Sequence, residues 1–286
     1  MQIFIRAAEV QAFLKDQKKR GKTIGFVPTM GALHQGHISL MEASKSKSDI
    51  TVVSLFVNPT QFNNPEDFRL YPIQPEKDTI MLKVAGCDVV FMPDAEEIYP
   101  QGTAQLSTYE LGNLETIMEG KFRPHHFQGV CQVVNRLLDI VDPDFLFLGR
   151  KDFQQCKVIE QLISLTGKAH RIRLVICPTL READGLAMSS RNMRLSEEER
   201  KTAAMIYKGL MHLKNQFGQS GFLEEKKSVI GMLEASGFSV EYLEIVDSDA
   251  METISEWDFN KNITACIAVY LGKVRLIDNM ILHIVQ

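Results

Sequence analysis

Short apolar runs alternate with segments of helical period along the first part of the chain. The runs that predict strands are TIGFVP (23–28), DITVVSLFV (49–57), CDVVFMP (87–93), DFLFLG (144–149) and RIRLVICP (171–178). Helices are predicted between them, near 37–47, 75–85, 128–140 and 152–166. Because the strands are almost continuously apolar and alternate with helices, we expect an α/β fold, a Rossmann-like doubly wound parallel sheet buried on both faces.

The pattern changes after residue 178. The segment 196–217 opens with Ser196, which can cap a helix, and with acidic residues that suit the positive end of the helix dipole. A second helix is predicted near 222–235, followed by three apolar runs that predict strands, at 239–247, 263–271 and 273–282. We therefore expect two domains, a Rossmann-like one over 1–178 and a smaller C-terminal α+β one over 179–286.

Composition narrows the class of protein. The chain has 286 residues, of which 45% are apolar and 24% charged, and a net charge of −4, so neither nucleic acid nor a membrane is an expected partner. The five cysteines are odd in number and form no CxxC pair, which favours a reducing cytoplasm over a disulfide framework. The N-terminus lacks the apolar centre of a signal peptide.

The segment TMGALHQGHISL (29–40) follows the first predicted strand and opens a helix. It is not a dinucleotide fingerprint, because GALHQG has the wrong spacing for GxGxxG. The nearby DQKKRGKT (16–23) is not a Walker loop, since Asp16 stands where the first glycine belongs and the segment precedes the strand. A zinc site is a minor alternative, because HQGH has a spacing of three and no evident third ligand.

Two interpretations of HQGH then remain open. Ligands of open parallel sheets bind at the carboxyl ends of strands, and a helix N-terminus suits a phosphate group. Gly31 and Gly36 give the loop freedom and space, and His34 and His37 share a face if the helical turn forms. The alternative is a pair of histidines that merely lies in a loop.

Polar clusters follow other predicted strands as well, and together they resemble one family. VPTMGALHQGH (27–37), FVNPTQF (56–62), EDFRLYP (66–72), FRPHHFQGV (122–130), FLGRKDFQQ (147–155) and DGLAMSSRN (184–192) are similar to segments of the pantothenate synthetases, also called pantoate–β-alanine ligases. HxGH alone would indicate only the wider nucleotidyltransferase group, which includes class I aminoacyl-tRNA synthetases.

The resemblance implies an adenylating ligase that makes a coenzyme A precursor. Pantoate would attack the α-phosphorus of MgATP, giving pantoyl adenylate and pyrophosphate, and β-alanine would then displace AMP. The expected cofactor is Mg²⁺ with ATP as substrate, and the expected state is a cytoplasmic homodimer. The first domain would bind nucleotide and pantoate, and the second would form a lid. An adenylyl- or cytidylyltransferase that stops after the first step, and a catalytically silent nucleotide-binding regulator, are the alternatives.

The resemblance also assigns roles to individual residues. His37, His34 and Lys151 would be catalytic through contacts with the phosphates, and Gln61, Gln155, Asn58 and Met30 would hold pantoate or β-alanine. ATP would contact two groups of residues, one from the loop after the first strand and one from later loops: Pro28, Thr29, Met30, Gly31, His34, Gly36 and His37, and Gly149, Arg150, Lys151, Asp152, Leu180, Met188, Ser189, Ser190 and Arg191.

Three positions qualify this picture. Asp78 could help to bind Mg²⁺, although acidic residues at the start of a helix are common. Ile73 stands in YPI where the family usually reads YPR, and His125 stands in RPHHF where the family usually reads RPGHF. Neither departure falls on a residue with an assigned role, and both leave the packing near the expected pantoate pocket and the role of Arg123 open.

Overall fold

The computed structural model describes residues 1–104 and 106–285. Its strands are β1 (Gln2–Phe4), β2 (Ile24–Thr29), β3 (Ile50–Leu55), β4 (Val89–Phe91), β5 (Phe145–Gly149), β6 (Arg173–Cys177), β7 (Phe238–Asp247), β8 (Ile263–Leu271) and β9 (Val274–His283). Its α-helices are α1 (Ala7–Lys19), α2 (Gln35–Lys45), α3 (Pro65–Arg69), α4 (Pro75–Val84), α5 (Ala95–Ile98), α6 (Met118–Phe122), α7 (His126–Val141), α8 (Phe153–Leu165), α9 (Glu197–Ala203), α10 (Met205–Gln216) and α11 (Phe222–Ala235).

Strands β1 to β6 form one parallel sheet in the order β1-β4-β3-β2-β5-β6. The chain leaves β2 toward β3 on one side and later returns to place β5 on the other side of β2. The order therefore reverses between β2 and β5, and in open parallel sheets such a switch point is where ligands bind.

Apolar side chains cover both faces of this sheet. Val27, Val53 and Phe147 belong to a core that also contains Ile38 and Met41 of α2. Residues one position away, such as Phe26, point to the opposite face and are equally buried. On that second side α7 contacts β2 and α1 packs against α7. Burial on both faces explains why the strand sequences are nearly continuous apolar runs.

The C-terminal part has its own antiparallel sheet in the order β7-β8-β9. Side chains of α10 and α11 pack against it, among them Leu210, Leu213 and Leu233, and meet buried strand residues such as Ile245 and Ile267. This is a helix-on-sheet core of the α+β kind.

The chain divides into two compact units. Unit 1 contains Met1–Arg150 and Gln154–Pro178, and unit 2 contains Lys151–Phe153 and Thr179–Gln286. The functional division into a nucleotide-binding domain over 1–178 and a lid over 179–286 stays a prediction.

The predicted parallel α/β sheet and the smaller α+β part are confirmed. The capping role of Ser196 is confirmed too, since its Oγ accepts the Glu199 N–H at 3.2 Å. The single helix predicted over 196–217 is wrong, because the chain turns at Ala204 between α9 and α10. Strand β1 was not predicted, since a three-residue edge strand gives no periodic signal, and helix α1 was not predicted either.

Two further features of the structure concern membrane-spanning helices and the cysteines. Among the described residues, no helix is both long and apolar enough to cross a membrane. All five cysteines are buried and free.

Candidate active site

The loop after β2 is held together by side chains. Gly31 and Ala32 have positive φ values of +80° and +49°, so the chain turns sharply between the strand and α2. The buried carboxylate of Asp78, on α4, accepts the N–H groups of Ala32 and Leu33, both at 2.8 Å. The Thr29 hydroxyl accepts the Gly31 N–H at 3.2 Å. These loop N–H groups are therefore bonded within the protein, unlike those of a phosphate-cradling glycine loop.

His34 and His37 form a reciprocal cap at the N-terminus of α2. The Nδ1 atom of His34 accepts the Gly36 N–H at 3.1 Å, and Nδ1 of His37 accepts the His34 N–H at 3.3 Å. The ring centroids are 4.1 Å apart. An imidazole that accepts at Nδ1 carries its proton on Nε2 when it is neutral. The sequence expectation that both rings share one side of this turn is confirmed by the short distance between them.

The polar segment after β3 carries two of the residues expected to bind pantoate. Asn58 is buried, and its Nδ2 donates to Oε1 of Gln61 at 3.2 Å. The Tyr99 hydroxyl donates to Oδ1 of Asn58 at 2.8 Å, which fixes the orientation of the Asn58 amide. Nε2 of Gln61 lies 3.1 Å from Sδ of Met30. The structure thus brings Asn58, Gln61 and Met30 together, with the amide of Gln61 pointing its donor end toward Met30.

Helix α7 supports the same segment by a close backbone approach. A Cβ placed on Gly129 would lie 2.3 Å from the carbonyl oxygen of Thr60. The Gly129 carbonyl accepts a hydrogen bond from Nδ2 of Asn58 at 3.1 Å, and Nδ1 of His126 lies 2.8 Å from the carbonyl oxygen of Gln61. Only a residue without a side chain fits at position 129 without displacing the chain that carries Gln61.

The two neighbouring glutamines of GRKDFQQ have different surroundings. Gln154 is buried and bonds three backbone groups, the Glu119 N–H at 3.0 Å and the carbonyls of Leu114 and Ile117 at 2.8 and 3.1 Å. Gln155, the residue assigned to pantoate, is partly exposed, and its side chain makes no hydrogen bond to any residue in the described part of the chain. Gln154 is structural, whereas the amide of Gln155 remains available.

Lys151 belongs to unit 2, where an ion pair between Arg181 and the buried Asp278 supports its backbone. Nδ2 of Asn279 donates to the Lys151 carbonyl at 2.8 Å, and Nη2 of Arg181 donates to the Asn279 carbonyl at 3.1 Å. Arg181 also pairs with the buried Asp278 through bonds of 2.6 and 3.0 Å. Burial raises the pKa of Asp278, while Arg181 and, more weakly, Lys151 oppose this. The Lys151 ammonium lies 3.7 Å from Oδ1 of Asp152.

Leu180 and Met188 lie at the two ends of a short hairpin, also in unit 2. The Met188 N–H donates to the Leu180 carbonyl at 3.0 Å. The hairpin turns at Gly185, whose φ is +92° and where a Cβ would lie 2.0 Å from Cδ1 of Tyr207. Glycine is required there both for the backbone angle and for the packing. The side chain of Leu180 is exposed.

The MSSRN segment that follows forms a short 3-10 helix, Ser190–Arg194. Ser189 caps it, since its Oγ accepts the Arg191 N–H at 3.3 Å. Ser190 is buried, and Arg191 is partly exposed. This segment has a structural role as a cap, and its proposed contact with the triphosphate stays a prediction.

The remaining predicted residues lie at strand ends in unit 1. Pro28 and Thr29 are the last residues of β2, Gly149 ends β5, and Arg150 follows it. No group of three or more histidine, cysteine or acidic side chains that could hold a metal ion occurs in residues 1–104 and 106–285. Both oxygens of Asp78 already accept loop N–H groups, so the hypothesis that Asp78 assists Mg²⁺ finds no support in this geometry and stays a prediction.

The structure also accounts for the two family departures. His125 has φ +65°, the left-handed region that favours glycine, and it immediately precedes α7. Histidine is one of the few larger residue types that tolerate this region, as are asparagine and aspartate. Ile73 is 72% exposed, so the side chain contributes little to packing. Arg123 pairs with Glu119, with Nη1 and Oε2 separated by 3.4 Å.

Sequence reasoning missed Tyr99, Gly129 and Asn279, which support proposed site residues without themselves being assigned to substrate. Their partners lie 41, 69 and 128 positions away for Tyr99–Asn58, Gly129–Thr60 and Asn279–Lys151. No local pattern in a single sequence reports contacts of that range.

Comparisons with known proteins agree along nearly the whole chain. The family model described as pantoate-beta-alanine ligase matches residues 2–281. A pantothenate synthetase of Cytophaga hutchinsonii is 45% identical, with 96% of each chain covered. One from Porphyromonas gingivalis is also 45% identical, over 98% of this chain and 99% of its own.

Solved structures give the same result. Pantothenate synthetase from Thermus thermophilus has a TM-score of 0.91 and 38% identity, with 99% of this chain and 100% of that chain covered. The pantoate-beta-alanine ligase of Francisella tularensis, complexed with beta-gamma ATP and beta-alanine, has a TM-score of 0.82 and 36% identity over 99% and 98%. The chain therefore belongs to the pantoate–β-alanine ligase family.

Proposed function

We propose that this chain condenses pantoate with β-alanine at the expense of ATP, through pantoyl adenylate, to form pantothenate, AMP and pyrophosphate. The observation that carries the proposal is family membership over residues 2–281 together with the paired histidines that cap α2 at the switch point of the sheet. The chain supplies the imidazoles, the lysine and the amides that such a reaction needs. No covalent enzyme intermediate is expected.

Two imidazoles at a helix N-terminus suit a triphosphate. With Nδ1 of each ring accepting a backbone N–H, Nε2 of His34 and His37 carries the proton and donates to phosphate oxygens. Because both rings are fixed by the capping bonds, little reorganisation is needed as charge develops on the phosphoryl oxygens. The N-terminus of α2 adds a partial positive charge. His37, the residue deeper in the helix, is the expected proton donor.

Pantoate is proposed to lie against Gln61, Asn58, Met30 and Gln155. The oxygen of the Gln61 amide accepts from Asn58 and one hydrogen of its NH₂ group points toward Met30, so the second NH₂ hydrogen is proposed to donate to a hydroxyl or carboxylate oxygen of pantoate. The amide of Gln155 can both donate and accept. Neutral amides orient the carboxylate without adding a charge that competes for the phosphates.

The nucleotide is proposed to contact Pro28, Thr29, Met30, Gly31 and Gly36 near the histidines, together with Gly149 and Arg150. We also propose Lys151 and Asp152 for the phosphates and ribose, Leu180 and Met188 for the adenine side, and Ser189, Ser190 and Arg191 for the triphosphate. Lys151 supplies a positive charge, and its backbone carbonyl accepts a hydrogen bond from Asn279.

The chemistry is then mainly alignment and charge stabilisation. The pantoate carboxylate attacks the α-phosphorus, the bond from that phosphorus to the α,β-bridging oxygen breaks, and pyrophosphate leaves; in the second step the β-alanine amine attacks the pantoyl carbonyl and AMP leaves. His34, His37 and Lys151 stabilise the negative charge that shifts onto the departing phosphates. Mg²⁺, held by phosphate oxygens and water, would supply further charge neutralisation. A cytoplasmic homodimer is proposed on the family resemblance alone.

The test is to incubate the purified protein with MgATP and each substrate separately and together. The proposal predicts AMP and pantothenate in equal amounts, and only when pantoate and β-alanine are both present. His37→Ala and Lys151→Ala should each lower the rate by about 100-fold, the scale of losing one preorganised donor. Pyrophosphate release without any AMP would indicate a transferase that stops after the first step, and no turnover under any condition would indicate a regulator.

A further inference from the structure

The buried carboxylate of Asp78 has two partners, and both lie in the loop that leads into the HQGH turn. Its Oδ2 accepts the Ala32 N–H and its Oδ1 accepts the Leu33 N–H, each at 2.8 Å. Asp78 is only 3% exposed, and it lies 46 and 45 positions away from those partners in the chain. A carboxylate that accepts two N–H groups makes two charge-assisted hydrogen bonds and is satisfied by them.

These bonds fix the backbone immediately before the histidines. The four successive N–H groups from Gly31 to His34 bond in turn to Thr29, to the two oxygens of Asp78, and to Nδ1 of His37. The loop contains a non-glycine residue at positive φ, Ala32 at +49°, a conformation that costs free energy and must be imposed by its surroundings. The Asp78 carboxylate is the group that imposes it at this residue.

Helix chemistry alone does not explain this aspartate. Glu76 lies in the same first turn of α4 and is exposed, so it suits the helix dipole without being buried in the protein. Asp78 instead projects into the protein interior, and a Cβ on Gly31 would lie 3.0 Å from its Oδ2. Glycine at 31 and aspartate at 78 therefore form one packed unit.

We propose that Asp78 is a positioning residue for adenylation, which acts through the 32–34 backbone to hold His37 in its productive tautomer and orientation. The chain of contacts runs from the carboxylate to the peptides of Ala32 and Leu33, then through the His34 N–H to Nδ1 of His37. The inference rests on the proposed function, since it presupposes that His37 contacts the phosphates. It assigns Asp78 a role distinct from binding Mg²⁺.

The experiment is a double-mutant cycle on the intact chain, read out by pantoate-dependent exchange of labelled pyrophosphate into ATP. Asp78→Asn removes one acceptor and places an NH₂ group against a backbone N–H, with almost no change of shape. We expect kcat for exchange to fall about 10- to 100-fold, with KM for pantoate changed by less than about threefold. Glu76→Gln, the matched control on α4, should stay within about twofold of the parent.

The cycle separates a positioning role from general structural damage. In the His37→Ala background, Asp78→Asn should cost less than about threefold more, because the group it positions is gone. The ¹⁵N signals of the His37 ring should show a protonated Nε2 in the parent and a mixture of tautomers in Asp78→Asn. If Asp78→Asn does not fold, Asp78→Ser, a smaller and uncharged replacement, takes its place in the cycle.

Four results would overturn the positioning role of Asp78. Additive losses in the cycle, or an Asp78→Asn enzyme with unchanged kcat, would overturn the positioning role while leaving the proposed function intact. A tenfold rise in the Mg²⁺ concentration needed for half-maximal exchange, with the His37 signals unchanged, would make Asp78 a metal-binding residue instead. Full activity of His37→Ala alone would refute both the assignment of His37 and the inference built on it.

Discussion

Replacing Gly129 by alanine is expected to damage both the stability of unit 1 and the use of pantoate. The new methyl group would lie 2.3 Å from the Thr60 carbonyl oxygen, 2.5 Å from its carbon and 2.7 Å from the Gln61 nitrogen. All three are backbone atoms, so no side-chain rotation can relieve the contact. Ordinary contact begins at 3.4 Å, so the segment must move by about 1.1 Å, the difference between 3.4 and 2.3 Å.

The magnitude follows from opposing terms. Alanine is favoured over glycine in a helix by about 1 kcal/mol, but overpacking against a rigid neighbour costs about 1 to 3 kcal/mol. Movement of the segment also weakens the Asn58 bond to the Gly129 carbonyl and the His126 bond to the Gln61 carbonyl, each of which contributes about 1 kcal/mol. We expect a net loss of about 1 to 3 kcal/mol, and, because Gln61 moves by about 1 Å, a loss of 10- to 100-fold in kcat/KM for pantoate.

Gly231→Ala is the matched control, since a Cβ there meets nothing within 4 Å in the middle of α11. This variant should gain about 0.5 to 1 kcal/mol. Urea unfolding followed by far-ultraviolet circular dichroism covers both units, while fluorescence of the single tryptophan, Trp257, reports on unit 2. Affinity for ATP without pantoate, measured by calorimetry, should change by less than about twofold. Equal stabilisation by Gly129→Ala and Gly231→Ala would refute the close approach of α7 to the Gln61 segment.

Three further predictions address other parts of the structure. His125→Gly should stabilise the protein by about 0.5 to 1 kcal/mol in thermal unfolding, because it relieves the left-handed backbone at φ +65°; a lower melting temperature would contradict this. Gln154→Ala should lower the melting temperature, whereas Gln155→Ala should leave it unchanged and reduce pantoate efficiency by about 5- to 150-fold; the reverse pattern would exchange their roles. The hydrogen bond from Arg200 lowers the pKa of Asp184, so this carboxylate adds stability above its unfolded pKa of about 3.9, and the contribution disappears as the pH falls through the lower folded pKa. Asp184→Asn should therefore flatten the stability curve below about pH 4 and cost less than about 1 kcal/mol at pH 7, and an unchanged acid limb would count against the pair.

Much of the fold was predictable because hydrophobic burial is periodic. The five strands predicted in the first domain are confirmed as β2 to β6, since parallel strands covered on both faces must be continuously apolar. Strand β1 was not predicted because three residues at a sheet edge show no periodic pattern. The turn at Ala204 was not predicted because alanine is itself a good helix former.

The residue types of the candidate site could be predicted from the sequence, whereas the tertiary contacts that hold those residues in place could not. HQGH after a strand was enough to place two imidazoles at a helix N-terminus, and the structure shows them in a reciprocal cap. Nothing local in the sequence distinguishes Asp78 from Glu76, since both are acids in one first turn, yet only Asp78 bonds the loop. The same holds for Gln154 and Gln155, which differ only in the contacts that the tertiary fold provides.

The most direct test of the account is exchange of labelled pyrophosphate into ATP by the purified protein. If pantoyl adenylate forms before the amine acts, exchange requires pantoate and Mg²⁺ but proceeds without β-alanine, and it falls by about 100-fold in His37→Ala. Exchange that proceeds at full rate without pantoate, or that appears only when β-alanine is added, would contradict an adenylate formed from pantoate as the first product.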